Sequence, residues 1–175
     1  MRIMTRGRLG AVVAHGRTSL PSLGVSLAGS SVWATFAGAG AFLNIRHWET
    51  ASHQAEVTTL FVLGGFTAFA PALFAARFLS GRRADATGRF AAMFLSLALA
   101  TTGITALLFG LEYRTYYAEW HAETFSYVWG LQLFFTMANA LYQFAVIGMR
   151  FYFPIGFAAI FVFSLWFARA ARPDC

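Results

Sequence analysis

VWGLQLFFTMANALYQFAVIGMRFYFPIGFAAIFVFSLWFA, residues 128–168, is apolar for 41 residues and is broken only around Met149-Arg150-Phe151-Tyr152-Phe153-Pro154. A helix needs about 20 apolar residues to cross the ~30 Å hydrocarbon core of a bilayer. The run is therefore twice one crossing, and a cation followed by proline is turn chemistry. The stretch predicts a helical hairpin with Arg150 and Pro154 at its turn. Everything upstream reads in the same terms.

Working towards the N-terminus, Glu112 to Tyr127 is a polar stretch holding Tyr113, Tyr116, Tyr117, Trp120 and Tyr127. Aromatics with one wet end collect at membrane interfaces, so this reads as an interfacial loop or a short surface helix. Three more apolar runs precede it, near Phe90–Leu111, Val57–Leu79 and Leu23–Ile45. Each carries small residues every four positions: Ala98, Thr102, Ala106 and Gly110 in one; Gly64, Ala68, Ala72 and Ala76 in the next; Ser26, Ser30, Ala34 and Gly38 in the first. A four-residue spacing lines one helix face, where small side chains let a neighbouring backbone approach. Pro71 lies inside the second run and predicts a kink or local break there.

Composition excludes the soluble and disordered classes. The chain is 58% hydrophobic with a mean hydropathy of +0.60, 20 Phe and only 11% charged residues. That leaves too few polar side chains to coat a water-facing surface. The expected fold is an all-α, polytopic transmembrane helical bundle of about five spans. It becomes four if the first is a cleaved signal segment or the last is re-entrant. The expected organisation is a basic tail over 1–22, one membrane domain over 23–170 and a short tail over 171–175.

All thirteen basic residues are Arg, and the net charge is +6. They sit in short segments beside apolar runs, which points to topology and to anionic lipid rather than to nucleic acid. Arg2, Arg6, Arg8, Arg17, Arg77, Arg82, Arg83 and Arg89 fall on one side, while Glu49, Glu56, Glu112, Glu119 and Glu123 fall on the other. The positive-inside rule then puts the N-terminus in the cytoplasm; the absence of Lys and the Ala/Arg-rich usage fit a GC-rich bacterial genome, and the expected location is the bacterial inner membrane. In the five-span reading Arg169 and Arg172 end on the wrong side. A re-entrant last segment would remove that conflict.

Two groups of residues carry candidate chemistry. Glu49, His53 and Glu56 are spaced to share a helical face, and Glu119, His121 and Glu123 sit in the second outer loop. Carboxylates with imidazoles are a ligand set for zinc, manganese or iron, though the spacing matches no metal motif. Gln132, Thr136, Asn139 and Gln143 form a polar stripe along the fourth helix. Polar groups in a membrane must face protein or water, so the stripe serves interhelical hydrogen bonds or lines a path.

No ionisable residue lies mid-span, all four His lie outside the spans, and Cys175 is the one cysteine. Haem held between helices and a disulfide within the chain are therefore not supported, and no cofactor is expected. The leading expectation is a structural or accessory subunit, packed with other membrane proteins or with copies of itself. The alternatives are a transporter component using the stripe, or a membrane enzyme with a His/Glu site at the outer interface.

Overall fold

A computed structural model describes residues 13–47, 51–81 and 85–170, and these are helical with no strand among them. The helices are α1 (Leu23–Ile45), α2 (Ala51–Ser80), α3 (Ala86–Tyr117), α4 (Tyr127–Val146) and α5 (Ile155–Arg169). Short 3-10 turns follow α3 at Ala118–Trp120 and α4 at Gly148–Tyr152. Three helical stretches, Leu23–Ile45, His53–Ser80 and Ala86–Trp120, are long and apolar enough to cross a membrane. α4 has the length, but Gln132, Asn139 and Gln143 dilute its apolar character. α5 is strongly apolar but, at 15 residues, rises only ~22 Å.

Local chemistry sets the starts. Ser22, Asp85 and Ser126 are the N-caps of α1, α3 and α4, and their side chains accept from the N–H groups of Val25, Gly88 and Trp129. Each cap satisfies one of the donors that a helix start leaves open. α2 begins six residues before the expected Val57, and α3 continues six beyond the expected Leu111. Helix geometry does not stop where the apolar run stops. Pro71 leaves α2 uninterrupted. One turn earlier, the Thr67 hydroxyl donates back to the Leu63 carbonyl at 2.7 Å.

α1, α2 and α3 pack as an antiparallel series with α2 in the middle. The first two small-residue ladders form the close contacts. Ser30, Ala34 and Gly38 of α1 are buried, as are Gly64, Ala68, Ala72 and Ala76 of α2. A Cβ placed on Gly64 would collide with the Thr105 side chain, and one on Gly65 would stand 3.0 Å from the Ala37 Cβ. On α3 the buried face differs from the expected ladder. Met93, Leu97, Thr101 and Thr105 are buried, whereas of the expected ladder Gly110 is buried, close against Met137 of α4, and Ala98, Thr102 and Ala106 are partly covered. The larger residues win because they fill the groove opposite the alanines and glycines of α2. Trp33 completes this core and donates its indole N–H to Thr101 Oγ1 at 2.9 Å.

The 128–168 stretch breaks where expected but does not fold back as a hairpin. α4 and α5 both pack against α3, one after the other, and not face to face. The pairs run in order down α3. Tyr113 receives Asn139 and Gln143, Phe109 meets Phe144, Thr105 receives Tyr152, Phe94 meets Phe157 and Phe90 meets Phe161. Arg89 then donates to the carbonyls of Phe167 (2.7 Å) and Ala170, closing the C-terminal end of α5. The end of α5 thus lies beside the start of α3. Arg150 and Pro154 sit at a bend along α3, not at the tip of a hairpin.

Gly64→Ala should destabilise the detergent-solubilised protein by about 1–3 kcal/mol through overpacking against Thr105. Gly103→Ala, where an added Cβ meets nothing within 4 Å, should be neutral or stabilising. Thermal unfolding of the two variants side by side reads the difference.

A polar cluster between α3 and α4

The stripe residues all turn towards α3 and the loop that follows it. Tyr113 is the hub: its hydroxyl accepts from Asn139 Nδ2 and from Gln143 Nε2, each at 3.2 Å. One turn towards the start of α4, Thr136 Oγ1 lies 3.3 Å from His121 Nε2. Gln132 Oε1 accepts the backbone N–H of Ala122 at 2.8 Å. The spacing of four along α4 aligns the donors, and the chain reversal over 118–126 brings His121 and Ala122 back onto them. A group of tilted and edge-on rings, Tyr113, Tyr116, Tyr117 and Trp120, edges the cluster with centroids 4.8–5.7 Å apart.

The second candidate group is more dispersed. His53 and Glu56 are exposed on the first turns of α2, and Glu119 and Glu123 are exposed in the loop after α3. His121 is partly buried and directs its ring to Thr136, not to a carboxylate. Glu49 lies outside the described residues. Among the described residues no three of His, Cys, Asp and Glu gather closely enough to share an ion.

Two polar residues outside the sequence-derived candidates prove central. Asn44, in the last turn of α1, donates through Nδ2 to the carbonyls of Phe153 at 2.8 Å and Phe151 at 3.4 Å. Tyr152 donates its hydroxyl to Thr105 at 2.8 Å, deep in the bundle. A lone Asn near the end of an apolar span was the available signal for the first. The four-residue spacing of Thr101 and Thr105 was the signal for the second.

Chemically, the α3–α4 cluster pairs amides, a phenol, a hydroxyl and an imidazole with one another. It holds no carboxylate and no nucleophile poised beside a base. No protein-family model matches the chain, and neither a curated protein nor a solved structure is significantly similar to it.

Tyr113→Phe would strand two amide donors at once, so it should lower stability by about 1 kcal/mol. Tyr116→Phe, at a mostly exposed ring, should change little. Unfolding of both variants in the same detergent is the comparison to make.

Proposed function

We propose that this chain is a multi-pass protein of the bacterial inner membrane, with its N-terminus in the cytoplasm, acting as a structural or accessory subunit. The observation that carries this reading is the outer face of α4. Leu131, Phe134, Phe135, Leu141 and Tyr142 are all exposed along it, and Phe134 and Phe135 are each 65% exposed. The opposite face of the same helix is taken up by hydrogen bonds to α3 and its loop. A helix fixed on one side, with paired large aromatics on the other, is suited to packing against a second membrane protein.

The order of contacts along α3 favours four crossings over five. α1, α2 and α3 make three, and α4 with α5 makes one broken crossing beside α3. Arg169 then lies at the same end as Arg77 and Arg89, and the conflict with the positive-inside rule disappears. α1 supplies Trp33, Ala37, Ala41 and Ile45 to the buried core, which supports its retention as a span and not as a cleaved signal. The transporter reading is the weaker one. Its stripe is occupied within the chain, with two amides shared by Tyr113.

Native mass spectrometry of gently solubilised membranes should find the chain in a larger assembly. Phe134→Ala with Phe135→Ala should release it without lowering its own unfolding temperature. A wild-type chain that runs alone under the same conditions contradicts the accessory role.

A further inference from the structure

One side of α4 stays bare along its whole length. Leu131, Phe135, Ala138, Tyr142, Val146 and Met149 are all exposed, at spacings of three and four that keep them on one helical stripe. The stripe runs into the turn Gly148–Tyr152 and ends beside Arg150. Arg150 is the single charged residue between Val128 and Ala168.

Arg150 lies inside the span and not at its edge. Phe144 packs on Phe109 and Tyr152 bonds to Thr105, so Arg150 is held between those two levels of α3. The charged residues of α3 lie outside both levels, Arg89 towards one end and Glu112 and Arg114 towards the other. The Arg150 side chain is exposed, and among the described residues none accepts a hydrogen bond from it or pairs with its charge. Acyl chains carry no acceptor, and a cation among them is costly unless an opposing charge meets it.

The chain does not supply that charge. Glu112, Glu119 and Glu123 lie outward of Phe109, and Asp85 caps the far end of α3. Glu56 stands about two turns outward of Gly64, where an added Cβ would strike Thr105. A second copy crossing in the same sense would bring the same acids to the same levels and leave Arg150 unpaired.

We propose that the bare stripe of α4 receives a transmembrane helix of a different protein, whose Asp or Glu side chain meets Arg150 within the bilayer. The inference rests on the accessory reading of the preceding subsection and names the chemistry of its partner. Apolar residues of the incoming helix cover Phe135 and Tyr142, and its carboxylate accepts from the guanidinium. The charge pair fixes the depth at which the two helices meet, so it selects one partner among many apolar helices.

Arg150→Lys makes the test chemical, because the chain has no other lysine. Native membranes holding the tagged variant are treated with dicyclohexylcarbodiimide, which enters the hydrocarbon and activates carboxylates. The lysine amine then displaces the activating group, which leaves as dicyclohexylurea, and an amide joins the two chains. Mass spectrometry of the product should place the link on an Asp or Glu inside an apolar segment of a second protein. A link to an acid of this chain overturns the choice of a different protein, and no link while the assembly persists overturns the pairing. In native mass spectrometry of gently solubilised membranes, Arg150→Gln should hold roughly ten-fold less partner than wild type, as expected when one member of a desolvated charge pair is removed. Arg114→Gln, outside the span, should hold as much as wild type. Should Arg150→Lys fail to assemble, Arg150→Gln decides: an assembly indifferent to it refutes the pairing and leaves the accessory role standing. A wild-type chain that runs alone refutes both.

Discussion

A helix that breaks leaves backbone carbonyls without partners, and in apolar surroundings those carbonyls must find donors within the protein. The bend at 147–154 is such a place. Asn44 reaches from α1 to the carbonyls of Phe151 and Phe153, and Tyr152 turns inward to Thr105. These contacts pin the break against α1 and α3 at one height. They also fix its direction: with the bend held there, α5 continues down α3 until Arg89 receives its last carbonyls. The order in which α4 and α5 pack along α3 follows from that pinned break.

α3 is the common wall. Its buried face of Met93, Leu97, Thr101 and Thr105 packs against the small residues of α2 and the indole of Trp33. Its aromatic positions Phe90, Phe94 and Phe109 engage α4 and α5. At its far end Tyr113 gathers the amides of α4. That division leaves the outer face of α4 bare and gives the proposed accessory role its physical basis: the inner face is bound by polar contacts within the chain, and the outer face offers aromatics to a neighbour or to lipid.

The helical class and the first three long apolar segments were legible in the sequence, because run length and small-residue ladders act locally. The stripe on α4 was legible as a set, since a spacing of four needs no tertiary information. What it would meet was not, because Tyr113 looks like any other interfacial aromatic until the chain reversal brings α4 back. The 98–102–106–110 ladder of α3 was right at Gly110, which is buried against Met137, but its other positions are only partly covered, because spacing alone cannot say which of two adjacent faces is covered. The hairpin expected at Arg150 failed for a more general reason. Length and a turn signal do not tell a chain that doubles back from one that bends and continues. Asn44, more than 100 residues away in the chain, makes that choice.

The side of the membrane on which α5 ends is the most direct test. Cys175, the chain's one cysteine, follows α5 by six residues and can report it without any substitution. A membrane-impermeant maleimide applied to oriented inner-membrane vesicles should label Cys175 from the same face as a cysteine introduced at Arg83→Cys, in a Cys175→Ser background. Labelling of Cys175 from the opposite face would mean that α4 and α5 cross separately, and the single broken crossing would be wrong.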